Sequence, residues 1–179
     1  MLALEWNNWD AVAVIIASIG LILTSCQLFF GSRVALKQIR VNQAEAGNKL
    51  ISELFTKASG QLLYVIDGVA NDLRIREDLK IPCSRTAVIE ALTNSSDSQQ
   101  TQVIHGCLDT LLHYFTLLDR SIELNHTTFA DVEFSLEYYI KILASADYRG
   151  GLLQYAKKHF PHPERIIHFL DRFQVWRNP

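Results

Sequence analysis

Three side chains that could bind a metal ion recur every four residues along one predicted helix. They are His105, Asp109 and His113. This spacing places them near one helical face, as in the Glu-x-x-His ligands of di-iron bundles. Such centres need carboxylates from other helices, and Glu133 and Glu137 are candidates. An enzyme built on His105, Asp109, His113 and Glu137 is one hypothesis, but a solvent-facing polar stripe is favoured, and we predict no metal and no cofactor.

Other catalytic signals are weak. His159 and His162 are three residues apart, but Pro161 between them prevents a shared regular helical turn, so both are predicted to be turn or surface histidines. The sequence shows no glycine-rich phosphate loop and no nucleophile elbow. We therefore predict that the protein is not an enzyme.

Cationic residues gather toward the C-terminal end. Residues 148–179 contain six Lys or Arg and two Asp or Glu, whereas residues 81–147 contain three and nine. The candidates for anion binding are Arg149, Lys157, Lys158, Arg165 and Arg172. Such a patch could hold a nucleotide, an RNA strand or lipid phosphates, although a solvated mixed surface is the commoner meaning.

A run of 20 uncharged residues, 11–30, precedes all of these groups. At about 1.5 Å per residue, a helix of this length spans roughly 30 Å, the thickness of the hydrocarbon core of a bilayer. We predict a single-pass protein of the cell membrane with residues 1–10 outside, 11–30 in the bilayer, a basic juxtamembrane helix over 31–47 and a cytosolic helical domain over 48–179.

The flanks of the run predict this orientation. Two acidic residues precede it, whereas the cations Arg33, Lys37 and Arg40 follow it, and positive charge near a span stays cytoplasmic. Trp6 and Trp9 are expected at the membrane surface, where aromatic residues are enriched.

One seam of the predicted span carries small and polar residues. They are Ala13, Ala17, Gly20, Thr24, Gln27 and Gly31, at steps of three and four. Small residues at such spacing let helices approach closely in lipid, and an amide such as that of Gln27 is costly there without a partner. The seam predicts self-association. The alternative is that Gln27 reaches the membrane surface and that the small residues are incidental.

One of the three cysteines, Cys26, suggests an alternative kind of membrane anchor. Leu23-Thr24-Ser25-Cys26 fits a lipoprotein cleavage site, with Cys26 lipidated, but the preceding region is acidic and the apolar run continues past it. We favour Cys26 as a residue buried in the membrane. Cys83 and Cys107 could meet in space, and a cytosolic domain would keep them reduced.

The remaining sequence predicts an all-α fold, in which the transmembrane helix continues into a cytosolic helical bundle. Apolar residues recur every three or four positions, and no alternating run indicates a sheet. The expected helices cover residues 50–73, 85–92, 99–122, 128–143, 152–159 and 164–176. Ser84 is expected to cap the second of these helices, and Thr128 with Asp131 three residues later resembles a capping signal for the fourth. Gly47 is expected to kink or end the first helix, and residues 147–151 are expected to form a turn.

The membrane exit resembles that of a known group. Leu28-Phe29-Phe30 leads into Leu36-Lys37-Gln38-Ile39-Arg40-Val41-Asn42-Gln43. This resembles a family of bacterial proteins of uncharacterised function, which have one N-terminal span, an exit similar to Gln-Ile-Arg-x-Asn and a cytosolic helical domain. The helix order over residues 111–173 is also similar. The resemblance implies a fold and an orientation but no catalytic residues; the acidic middle of this chain and Gly31 depart from it.

The sequence thus predicts a membrane-anchored, non-enzymatic interaction or regulatory protein. It would contact membrane lipids and either form a homo-oligomer or dock onto a membrane-protein partner. The alternative is a membrane effector of a bacterial defence or stress pathway, gated by a cytosolic signal such as a nucleotide. Gln27, Arg33, Lys37 and Arg40 are the residues expected to direct assembly and docking.

Overall fold

The chain is predominantly helical, as predicted, with one β-hairpin. The computed structural model describes residues 8–76, 79–93 and 98–177, and for residues 8–12, 58, 75, 76 and 79 it describes the backbone only. The helices are α1 (Asn8–Thr56), α2 (Ala58–Asp67), α3 (Arg85–Thr93), α4 (Gln99–Glu123), α5 (Phe129–Leu143), α6 (Ala146–His159), α7 (Pro163–Asp171) and α8 (Gln174–Arg177). The strands are β1 (Asp72–Arg76) and β2 (Leu79–Pro82).

The chain divides into two units after Val41. In the first unit, every described side chain of α1 from residue 13 to 41 is exposed, including the large apolar ones. Among the described residues, α1 is the one helix that is long and apolar enough to cross a membrane, by length and composition. The predicted span therefore forms part of a continuous helix.

The second unit begins at Asn42 and has its core around α4. One face of α4 is fully buried and includes Leu108, Leu111, Phe115 and Leu118. Helices α2, α3 and α7 pack against α4, while α6 packs against α3. The Phe115 and Phe169 rings lie 5.2 Å apart between their centroids and join α4 to α7. This packing brings the C-terminal helices beside the polar face of α4.

The first helix does not end at Gly47, as the sequence had suggested, but continues to Thr56. A Cβ at Gly47 would clash with the Thr127 side chain, so glycine here permits close packing rather than helix termination. The predicted helix over 50–73 is interrupted instead at Lys57, whose backbone is extended. Gly60 fits against the backbone of Phe55 just after this break.

The prediction of no sheet was wrong for residues 72–76 and 79–82. Gly68 ends α2 with a positive φ of 83°, a conformation that glycine adopts without strain. Strands β1 and β2 then pair antiparallel, with Leu73 opposite Ile81 and Arg74 opposite Lys80. Leu73, which had been assigned to the end of a helix, is buried on this hairpin.

The predicted turn over 147–151 was also wrong, because these residues lie inside α6. A Cβ on Gly151 would stand 2.9 Å from the Cβ of Leu92, so the glycine allows α6 and α3 to approach closely. The predicted last helix is divided into α7 and α8. The caps were predicted correctly: the Ser84 Oγ accepts a hydrogen bond from the Ala87 N–H, and Thr128 and Asp131 form a capping box.

Candidate functional site

The predicted seam of the span lies on α1, and its polar side chains differ in how they are satisfied. The Thr24 hydroxyl donates to the Gly20 carbonyl at 2.8 Å, and Ser18 and Ser25 donate to carbonyls one turn earlier at the same distance. Each hydroxyl is therefore satisfied within the helix. Gln27 has no hydrogen-bond partner among the described residues, so its amide stands out as the polar group of the span that still needs one.

Both glycines of the seam are open to neighbours. A Cβ built on Gly20 or on Gly31 meets nothing within 4 Å. Glycine at these positions is therefore not required by packing within the described part of the protomer. Ala13 and Ala17 are likewise exposed on the same helix. This surface can accept a second helix at close range.

The residues expected to orient the span lie on the same helix. Arg33, Lys37 and Arg40 are exposed, and the Arg33 guanidinium lies 4.5 Å from the centroid of the Phe29 ring. Trp6 lies outside the described residues, and only the backbone of Trp9 is described. The part of α1 that follows the apolar run thus carries three accessible cations on successive turns.

The polar stripe of α4 does not bring together the metal ligands of the enzyme hypothesis, which was the less favoured interpretation of these residues. His105 Nε2 lies 2.9 Å from the Ala91 carbonyl oxygen, to which it donates as the N–H tautomer. The Asp109 carboxylate instead accepts a hydrogen bond of 2.8 Å from the Tyr155 hydroxyl. In the described part of the chain, the one group of three ligand atoms within metal-binding distance does not include His105, Asp109, His113, Glu133 or Glu137.

A groove lined with histidines runs along α4. The sequence did not predict this groove. Its adjoining cavities, of about 460, 480, 570 and 330 Å³, share lining residues from one to the next. Four histidines line them: His113, His159, His162 and His168. His159 also stacks on Tyr155, with centroids 4.3 Å apart, next to His105. Residues separated by some 40 to 60 positions meet here because α7 packs against α4 and because Tyr155 on α6 bonds to Asp109 on α4.

A buried carboxylate marks one end of this groove. Asp119 on α4 has no exposed surface, and its Oδ1 accepts hydrogen bonds from His168 Nδ1 at 2.9 Å and from Arg172 Nε at 3.0 Å. One turn later, Glu123 accepts a bond of 3.0 Å from Arg165. A buried carboxylate requires partners of this kind because its charge is costly to remove from water. In the sequence, Asp119 gave no signal beyond being one of four charged residues of an amphipathic helix.

The five predicted anion-binding residues lie on different helices and have different surroundings. Arg165 on α7 bonds to Glu123, and Arg172, which directly follows α7, bonds to Asp119. Arg149 on α6 lies over the Trp176 ring at 5.1 Å. Lys157 and Lys158 occupy the last turn of α6, where the negative end of the helix dipole stabilises cations. The structure brings Arg165 and Arg172 together, but it surrounds them with carboxylates.

The three cysteines differ in their exposure to solvent. Cys26 is exposed on α1, whereas Cys83 and Cys107 are buried free thiols. Burial raises the pKa of each of the two buried thiols to about 11. Since the thiolate is the nucleophile, neither group is poised for covalent chemistry at neutral pH.

The fold and these sites describe a predominantly helical protein with one N-terminal helix that is long and apolar enough to span a membrane. No family model, no curated protein and no solved structure matches the chain. The function must therefore be argued from the residues of the chain itself.

Proposed function

We propose that this protein is a membrane-anchored, non-enzymatic interaction module that self-associates through α1. Residues 11–30 would cross the cell membrane, with the N-terminus outside and the helical domain in the cytoplasm. The charge bias at Arg33, Lys37 and Arg40 supports this orientation. In this proposal the helices after residue 48 act as a bundle that docks onto a partner or regulates a larger membrane complex.

The observation that carries the proposal is the unpartnered Gln27 on a seam of small residues. The hydroxyls of the span are satisfied within the helix, whereas the Gln27 amide has no partner among the described residues. In hydrocarbon, an unsatisfied amide costs several kcal/mol, on the order of 2–7 kcal/mol. The same amide on a second copy can serve as donor and acceptor at once. Parallel copies in one membrane bring the two Gln27 side chains to the same depth.

The two glycines of the seam also support self-association through this face of α1. Gly20 lies two turns before Gln27 and Gly31 lies one turn after it, and both leave room for a neighbouring backbone. Because a Cβ at either position meets nothing within 4 Å, a larger residue there would not disturb the protomer. Its effect on assembly would report on the contact between copies.

The test is the mass of the full chain purified in mild detergent. We expect a discrete homo-oligomer that dissociates in Gln27→Leu and weakens in Gly20→Leu. A loss of about 1–2 kcal/mol per contact, which model peptides give for such hydrogen bonds, would shift the dissociation constant roughly tenfold. The matched control is Ser25→Leu, which also replaces a polar residue of the span by leucine but lies away from the seam and is satisfied within the helix.

Three results would change the proposal. A monomer that purifies with another membrane protein would make this chain a subunit, with the seam facing that partner. Equal assembly of wild-type protein, Gln27→Leu and Gly20→Leu would exclude the seam. Growth arrest on overexpression that Gln27→Leu abolishes would favour instead the membrane effector of a defence or stress pathway.

A further inference from the structure

One group of side chains in the described part of the chain brings three possible metal ligands close together. Asp119 and Glu123 are four residues apart on α4, and His168 faces them from α7. Each residue offers one ligand atom, and these three atoms all lie within 4.8 Å of one another. The close approach depends on the packing of α7 against α4, because His168 is far from the other two in sequence.

We propose that Asp119, Glu123 and His168 form a binding site for a divalent transition-metal ion, of which Zn²⁺ is the representative. Imidazole and carboxylate are both ligands that Zn²⁺ accepts in proteins. Two ligands at about 2.1 Å from a tetrahedral ion lie about 3.4 Å apart. The His168 Nδ1 and the Asp119 Oδ2 already lie 3.2 Å apart, so these two ligands need little movement.

The arginines of the site hold the carboxylates without using all of their oxygens. Arg172 Nε bonds to Asp119 Oδ1, and Arg165 Nη1 bonds to Glu123 Oε2, each at 3.0 Å. The Asp119 Oδ2 and the Glu123 Oε1 therefore have no arginine bond. Hydrogen bonds to ligating carboxylates from outside the coordination sphere are a regular feature of metal sites, where they fix ligand orientation.

The remaining surroundings suit a cation. Glu164 lines the same cavity of about 330 Å³, so three carboxylates face two guanidinium groups. With His168 neutral, the cluster carries one net negative charge. Binding through Nδ1 requires the neutral ring to change tautomer: the proton on Nδ1 passes to water, and Nε2 of the exposed ring takes one up from water. The cavity leaves room for water as a further ligand.

Calorimetric titration of the full chain with ZnCl₂ tests this site. The protein, purified in detergent with a tag that lacks histidine, is first freed of metal by EDTA. We expect one ion per chain with a Kd on the order of 1 μM or lower. His168→Gln and Glu123→Gln should each weaken binding by about tenfold or more. His168→Gln keeps an N–H donor for Asp119, and Glu123 is exposed, so both variants should keep the helical circular dichroism of the wild-type protein.

The matched control is His126→Ala, which removes an exposed histidine three residues beyond Glu123. It should bind Zn²⁺ as the wild-type protein does. Equal affinity in wild-type protein, His168→Gln and Glu123→Gln would overturn the site, because the ion would then be held elsewhere. A wild-type Kd above about 100 μM would also overturn it.

Discussion

The two units of the chain use apolar residues in opposite ways. Before Val41, α1 exposes its large side chains, among them Ile16, Leu21 and Phe30, and satisfies its hydroxyls within the helix. After Asn42, the large apolar side chains are mostly buried and polar groups bond across helices, as Tyr155 does to Asp109. Exposed apolar surface is stable where the surroundings are apolar, which is the environment of a bilayer.

The comparison also separates two uses of a polar group. In the second unit, buried Asp119 finds both of its donors, His168 and Arg172, within the fold. In the first unit, Gln27 finds none among the described residues. A group satisfied within its own unit specifies how the helices pack. A group left unsatisfied on an exposed helix points to a neighbour, and this difference underlies the proposed function.

The largest expected effect contrasts a phenylalanine from each unit. Phe115 is 1% exposed and lies against Phe169, whereas Phe30 is 66% exposed. Phe115→Ala should lower the free energy of unfolding of the helical domain by about 3–5 kcal/mol, because it removes buried surface and leaves a cavity. Phe30→Ala should change that energy by less than about 0.5 kcal/mol.

Urea titration of the full chain in detergent, followed by circular dichroism, measures both variants. A large loss for Phe30→Ala would show that residues before Val41 contribute to the stability of the helical domain. The two units of the chain would then not be independent in stability. An unchanged midpoint for Phe115→Ala would show that α4 is not the centre of the core.

Periodicity predicted those parts of the fold that depend on short-range order. Helix α4 was predicted almost to its ends, because its apolar face and its polar start are continuous in the sequence. The capping box at Thr128 was predicted because it lies within four residues. The hairpin was missed although Leu73 and Ile75 alternate with charged residues. Leu73 also continued the helical spacing from Val69, and that interpretation was preferred.

Glycine and long-range contacts were the parts that sequence patterns could not resolve. Gly47 and Gly151 were interpreted as helix breakers, whereas each allows close packing inside a helix. Whether a glycine ends a helix or admits a neighbour depends on which element faces it. The groove along α4 was missed for the same reason, since His168 reaches Asp119 only through the pairing of α7 with α4. The small-residue seam of the span remains a prediction.

Substitutions at two neighbouring glycines of α6 should change the stability of the helical domain by an intermediate amount and in opposite directions. A Cβ on Gly151 would stand 2.9 Å from the Leu92 Cβ, whereas a Cβ on Gly150 meets nothing within 4 Å. Gly151→Ala should destabilise the helical domain by about 1–3 kcal/mol through overpacking. Gly150→Ala should stabilise it by roughly 0.5–1 kcal/mol, since alanine favours the helix. Thermal unfolding of the two variants compares them directly, and stabilisation by both would mean that α3 and α6 are less closely packed.

The smallest expected effect distinguishes two helix starts in the helical domain. Thr128 begins α5 with a capping box, in which its hydroxyl accepts from the Asp131 N–H. Ser145 begins α6 without a side-chain capping bond. Thr128→Ala should therefore cost about 1 kcal/mol of unfolding free energy, and Ser145→Ala should be close to neutral. Urea titrations of the two variants provide the measurement. Equal losses would mean that Ser145 also caps its helix in solution; a neutral Thr128→Ala would mean that packing alone fixes the start of α5.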